Sequence, residues 1–79
     1  MFHLSCQVVC LAHKVTLTGV VIRVRKNTSG DKVAIIKDSH SYLHFTVADR
    51  GFVKGQEVEI SGRIIEVERG SGYIRLIEG

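Results

Sequence analysis

The sequence contains no proline and no tryptophan, and only two of its 79 residues are cysteines. Without proline, the turns must be built by Gly, Asn, Asp and Ser, and eight glycines are available. Cys6 and Cys10 lie close together near the N-terminus, so a disulfide between them would close a loop too short to stabilise a domain much. We therefore expect reduced thiols and a cytoplasmic protein.

Long apolar runs are also missing from the sequence. No segment approaches the roughly 18 apolar residues that a membrane-spanning helix needs. The stretch from Met1 to His13 lacks the basic start and the small-residue cleavage site of a signal peptide. Hydrophobic residues make up 44% and charged residues 24%, which is typical of one folded globular domain. We expect no contact with a membrane.

Catalytic signatures are absent from the sequence as well. It contains no Ser-His-Asp or Cys-His arrangement at a recognisable spacing and no phosphate-binding loop. The segment Arg69-Gly-Ser-Gly72 is a predicted turn, and no predicted helix follows it to complete a nucleotide cradle. We predict no enzymatic activity and no cofactor. The net charge of +3 allows a polyanionic partner without requiring one.

One pattern occurs twice in the chain. The segment that begins Val15-Thr-Leu-Thr-Gly19 returns, with an offset of 43 from position 15 to position 58, as Val58-Glu-Ile-Ser-Gly62. Each copy continues with alternating β-branched residues, which predicts a long strand that bends at a glycine bulge. Two long bent strands indicate a closed barrel, because kinks let strands turn the corner.

Alternation and turn signals predict five strands, at 14–26, 32–37, 42–48, 57–68 and 73–77. The fold class is therefore an all-β, five-stranded barrel over residues 14–79, preceded by a short N-terminal extension of residues 1–13. The longest connection, 49–56, must cross one end of the barrel, and we expect Phe52 to plug that end. Side-chain alternation places the following residues inside: Val15, Leu17, Val21, Val33, Ile35, Leu43, Phe45, Val47, Val58, Ile60, Ile64, Ile74 and Leu76.

Three segments resemble the OB-fold, the Greek-key barrel of single-strand-binding proteins, replication protein A and anticodon-binding domains. They are Val15-Thr-Leu-Thr-Gly19-Val-Val21, the run from Phe52 to Ile64 that contains Lys54-Gly55, and Gly72-Tyr-Ile-Arg-Leu76. The resemblance covers about residues 14–78. It implies that the first and fourth strands pair to close the barrel.

The resemblance also implies that single-stranded nucleic acid binds the outer face of strands two and three, between the first–second and fourth–fifth loops. Aromatic rings stack bases and cations contact phosphates. The candidate residues are Arg23, Arg25, Lys26, Lys32, Lys37, Tyr42, His44, Thr46, Arg69, Tyr73 and Arg75. We predict non-catalytic binding of a single strand, with DNA slightly favoured over RNA, in a process such as DNA replication.

Two other interpretations stay open. Under the same repeat offset, Arg23 and Arg25 align with Glu66 and Glu68, so these arginines form either cross-strand ion pairs or phosphate contacts. The alternative function is a protein-interaction subunit that uses the barrel and the apolar segment 2–11 to join a homo-oligomer or a larger complex. Outward Tyr, Thr and Arg side chains also suit any exposed strand surface.

Four residues near the N-terminus have the types that bind zinc, namely His3, Cys6, Cys10 and His13. Structural zinc sites usually draw their ligands from two separated segments of the chain, whereas these four lie in one short stretch. A free cysteine is more often a small buried hydrophobic residue. We therefore predict no metal site.

Overall fold

The computed structural model describes residues 14–79, which form five strands and no helix. The strands are β1 (Lys14–Lys26), β2 (Lys32–Asp38), β3 (His44–Ala48), β4 (Glu57–Val67) and β5 (Ile74–Glu78). The predicted all-β class is confirmed. Predictions on the N-terminal extension, including the zinc motif and the apolar segment, fall outside the described residues. Within residues 14–79, no helix is long and apolar enough to cross a membrane.

The five strands form a closed barrel in the order β1-β2-β3-β5-β4, which is consistent with an OB-type barrel. β4 returns to β1, with antiparallel ladder partners running from Lys14 and Arg63 to Val20 and Glu57. The predicted pairing of the two repeat strands is therefore confirmed. β3 and β5 form the one parallel contact in residues 14–79, and it contains only two pairs of residues.

The two repeat strands each contain one bulge. Ile22 in β1 and Ile65 in β4 are skipped in the ladders with β2 and β5, and each lies three positions beyond the repeat glycine. The sequence predicted a bend at the glycines themselves, so the position differs slightly. The glycines instead allow close backbone approach, because a Cβ on Gly19 would overlap the carbonyl oxygen of Lys37.

The barrel core contains side chains from every strand. It is formed by Leu17, Val21, Ala34, Ile36, Phe45, Val47, Phe52, Ile60 and Leu76. Phe52 comes from the connection between β3 and β4, as predicted, and is 7% exposed. The Asp49 carboxylate accepts hydrogen bonds from the backbone amides of Gly51 and Phe52, which shapes the turn that brings this ring to the core.

The predicted orientation of β2 is wrong. Ala34 and Ile36 belong to the core, whereas Val33 and Ile35 lie on the outer side of the sheet. The apolar run of β2 shows no alternation. Lys37 is exposed, and it shares its side of the strand with Ile35 and Val33. Solvation of that ammonium group is favoured over burial, so the other two residues face outward.

The third strand begins later than predicted, at His44. The Ser41 hydroxyl donates to the Asp38 carboxylate at 2.6 Å and accepts from the Leu43 amide, which holds the preceding residues in a turn. Tyr42 and Leu43 therefore lie in the β2–β3 connection rather than in a strand. Leu43, predicted to be inside, is 49% exposed.

Candidate nucleic-acid interface

One row of ladder partners crosses the outer face of the barrel from β1 to β4. Arg23 pairs with Ile35, Ile35 with Thr46, Thr46 with Arg75, and Arg75 with Glu66. The second and third residues of this row, Ile35 and Thr46, are only 2% and 3% exposed although they face away from the core cluster. Charged residues stand at both ends of the row. This part of the outer face is therefore concave.

A cleft of about 290 Å³ lies on this concave face. We call it the outer cleft, and its lining includes Arg25, Asn27, Val33, Glu66, Glu68 and Arg75. Arg25 and Val33 are ladder partners on β1 and β2, while the two glutamates and Arg75 come from the β4–β5 side. The barrel thus brings charged residues that are about 40 or more positions apart in the sequence to one cleft.

The β1–β2 turn forms one rim of the outer cleft. The Asn27 side-chain oxygen accepts from the backbone amides of Ser29 and Asp31, each at 3.0 Å. Gly30 has a φ of 91°, which other residues rarely adopt. The Asn27 backbone amide donates to the Asp31 carbonyl, which closes the turn. These bonds predefine the shape of this rim.

The β4–β5 turn forms the opposite rim, and it holds the Glu68 carboxylate in place. One carboxylate oxygen accepts from the Thr46 hydroxyl and the other from the Ser71 hydroxyl, both at 3.2 Å. The Tyr73 amide donates to the Ser71 hydroxyl oxygen, and the Glu68 amide donates to the Tyr73 carbonyl. Thr46 was predicted as a contact residue. It lies on the predicted face, where it is 3% exposed and its hydroxyl donates to Glu68.

The structure of residues 14–79 contains no ion pair between Arg23 or Arg25 and Glu66 or Glu68, the pairs considered from the repeat. The antiparallel ladder pairs Val15 with Gly62, so an alignment by constant offset does not identify cross-strand neighbours. Arg75 is the residue that pairs with Glu66, at 2.8 Å. The Nε of Arg25 is buried and has no hydrogen-bond partner within residues 14–79.

Aromatic side chains gather at one end of the outer face. The rings of His44 and Tyr73 stack, with centroids 5.4 Å apart and planes 25° from parallel. Lys37 is the ladder partner of His44 on β2. Tyr42 precedes this pair in the β2–β3 turn and is 92% exposed. Three of the predicted aromatic and cationic residues are therefore neighbours here, and the fourth is a free ring nearby in sequence.

The remaining predicted cations are exposed, but Lys26 and Lys32 share the core-facing side of their strands with Val24 and Ala34, whereas Arg23 and Lys37 lie on the outer side. Arg23, Lys26, Lys32 and Lys37 are exposed on β1 and β2, and Arg69 is exposed in the β4–β5 turn. Lys26 and Lys32 are direct ladder partners next to the β1–β2 turn. Like charges that face each other across a ladder are destabilising. A bound anion between the two ammonium groups would relieve this repulsion.

A second groove, of about 560 Å³, lies where β3 and β5 diverge. Its lining includes Ala48, Ile65, Ile77 and Glu78. The Arg50 guanidinium donates to both carboxylate oxygens of Glu78, at 2.8 to 3.0 Å. These hydrogen bonds lower the pKa of Glu78, and partial burial opposes the shift.

Sequence reasoning missed Ile35 as part of the face and Glu66 and Glu68 as part of the cleft. The exposure of Lys37 could have indicated the orientation of Ile35. Within residues 14–79, no group of three or more His, Cys, Asp or Glu side chains could hold a metal ion. Comparison of the chain with protein-family models, with curated proteins and with solved structures gives no match.

Proposed function

We propose that this protein binds single-stranded nucleic acid without catalysis, with DNA slightly favoured over RNA, on the outer face of β2 and β3. The observation that carries the proposal is the concave outer face itself, where the buried Ile35 and Thr46 lie between two hydrogen-bonded turns. A groove of this kind, bounded by cations and rings, matches what a flexible strand requires.

The aromatic end of the face supports base stacking. Every base has a π-face, so stacking on a ring tolerates any sequence and contributes about 1–3 kcal/mol per base. Tyr42 is almost fully exposed, and an exposed ring has its whole surface available to a base. The stacked His44 and Tyr73 pair provides further aromatic surface, and His44 is two residues after Tyr42 in the chain.

The distribution of cations supports backbone contacts. Lys37 lies on the outer side of β2 beside His44, and Arg23 lies on the outer side of β1 beside Ile35. The opposed pair of Lys26 and Lys32, at the barrel end beside the β1–β2 turn, would be stabilised by a phosphate that neutralises it. Arg75 is a weaker candidate, since Glu66 already occupies its guanidinium.

A titration of labelled oligonucleotides at two salt concentrations tests the proposal. We expect three or four phosphate contacts, which give a log–log slope of affinity against salt of about −2 to −3 for a single strand. Duplex should bind more weakly, because its bases are not free to stack on the rings. Equal affinity for single strands and duplex at moderate salt would contradict the proposal.

Exposed apolar residues favour one second candidate, a protein-interaction subunit. Ile65, Val67 and Ile77 on β4 and β5 are 46%, 61% and 55% exposed, and two of them line the groove between β3 and β5. Exposed apolar surface beside a groove often marks a protein contact. Light scattering would reveal a homo-oligomer, and Ile77→Asp should then lower the measured mass.

A further inference from the structure

We propose that the outer cleft holds one guanine base of the bound strand, with Glu68 accepting its N–H groups and Arg25 donating to its carbonyl oxygen. The inference rests on the proposed function and names the base that this site selects. It follows from the charge balance of the cleft, the way Glu68 is held, and the state of Arg25.

The charges of the outer cleft favour a neutral occupant over a phosphate. Two arginines, Arg25 and Arg75, line it together with two glutamates, Glu66 and Glu68. A phosphate placed here would meet two carboxylates as well as two guanidinium groups, so the cleft offers it no net positive charge. A neutral group with hydrogen-bond donors and acceptors fits this balance. In a nucleic acid, that neutral group is the base.

The Glu68 carboxylate is prepared to accept further hydrogen bonds. Each of its oxygens already accepts one, from Thr46 or from Ser71. An ionised carboxylate offers about four acceptor positions, so both oxygens retain capacity. Among residues 14–79, no cation lies within ion-pair distance of Glu68, whereas Glu66 has Arg75. The two hydroxyls therefore fix an acceptor that still lacks donors of its own.

Arg25 is prepared to donate. Its Nε is buried and lacks a hydrogen-bond partner within residues 14–79, and a buried donor without a partner is destabilising. Nε itself is out of reach of a base, but Arg25 lines the cleft, and the terminal N–H groups of the same guanidinium can donate to a base acceptor there. Val33, the ladder partner of Arg25, contributes apolar surface to the same lining, which suits the ring of a base.

Guanine is the base that satisfies both groups at once. Its N1–H and its amino group lie side by side on one edge, so they can meet the two oxygens of one carboxylate, and its O6 and N7 accept from arginine. Adenine and cytosine present one amino group flanked by an acceptor, and thymine presents a single N–H between two carbonyls. An acceptor pair beside a donor therefore selects guanine.

The test compares three single strands on the full-length protein: all-thymidine, the same strand with one central deoxyguanosine, and the same strand with deoxyinosine there. Inosine lacks only the amino group of guanine. We expect the guanine strand to bind about tenfold more tightly than all-thymidine, the size of one good bidentate contact. The inosine strand should lose most of that gain.

A pair of matched variants identifies the acceptor. Glu68→Gln keeps an oxygen for the hydroxyls but cannot meet two N–H groups, so it should bind the guanine and thymidine strands equally. Glu59→Gln makes the same charge change at an exposed position on β4 whose ladder partner is Thr18 on β1. It should keep the preference for guanine. Wild-type discrimination against inosine is measured without any substitution, so the test does not depend on the folding of a variant.

The possible outcomes distinguish a failure of the guanine inference from a failure of the proposed function on which it rests. Binding of single strands without a preference for guanine, or a preference that Glu68→Gln retains, would overturn the inference and leave the proposed function standing. Failure to bind any of the three strands would overturn both.

Discussion

Exposure follows the alternation of the sequence on the β1–β4 face of the barrel but not on the β2–β3 face. Where β1 pairs with β4, exposed Thr18 and Glu59 are ladder partners, and the core residues Leu17 and Ile60 are partners at the next position. Alternation in the sequence matches exposure there. On the β2–β3 face, Ile35 points away from the core cluster and is still buried. A strand can therefore have both of its sides covered in one small barrel.

The bulges explain the difference between the faces. Ile22 and Ile65 are the extra residues, one in each long strand, and bulges increase the local twist and bend of a strand. The pairing between β1 and β4 runs from Lys14 to Val20 and ends before the first bulge. The two bulges lie beyond opposite ends of this ladder, and the residues that follow them, Arg23 and Glu66, stand at the two ends of the row that crosses the outer face. The same kinks that close the barrel thus create the candidate site.

The largest expected effect is a loss of stability, and it should distinguish two outward isoleucines, one buried and one exposed. Ile35→Ala on β2 should lower the free energy of unfolding by about 2–4 kcal/mol, as burial of a large side chain requires. Ile77→Ala on β5, where the side chain is 55% exposed, should cost well under about 1 kcal/mol. Urea denaturation measures both. Equal losses would show that the outer face of β2 is not concave.

The second effect concerns the exposed ring. Tyr42→Ala should weaken binding of a single strand by about 1–3 kcal/mol without changing the salt slope, because stacking releases few counterions. Val53→Ala, at an exposed apolar position in the β3–β4 connection, serves as the control and should bind normally. If Tyr42→Ala binds as tightly as wild type in the titration, the aromatic part of the account is wrong.

The third effect separates cations on the two faces. Lys37→Ala should reduce the magnitude of the log–log salt slope by about 0.7, the share of one phosphate contact on a single strand. Arg63→Ala removes an exposed cation whose ladder partner is Lys14 on β1, so it should leave the slope unchanged. Identical slopes for the two variants would assign binding to net charge rather than to this face.

The smallest effect tests the groove between β3 and β5. The lowered pKa of Glu78 means that its bond to Arg50 stabilises the fold above the ordinary carboxyl range, and that this gain is lost as pH falls through the lowered pKa. Glu78→Gln should therefore lower the melting temperature at neutral pH. The decrease should be only a few degrees, because the ion pair is largely solvent-exposed. The two melting curves should converge in acid, and a difference that persists in acid would rule out this titration.

The sequence was sufficient to predict the two repeat strands, because a glycine and alternating β-branched residues leave a local signal. Their pairing was implied by the resemblance to the OB-fold, and the burial of Phe52 followed from the connection that must cross one barrel end. The sequence was insufficient for β2, whose run from Val33 to Ile36 is apolar throughout and has no period. The contact between Thr46 and Glu68 joins residues that are 22 positions apart, and barrel closure brings them together. No local pattern encodes such a contact.

The most direct test of the central claim is an amide NMR titration of the full-length protein with an unlabelled single strand. The account predicts chemical-shift changes at Arg25, Val33, His44 and Tyr73, with little change at Thr16, Thr18, Glu59 and Ser61 on the β1–β4 face. Shifts confined to the β1–β4 face, or to Ile65 and Ile77 beside the second groove, would contradict it.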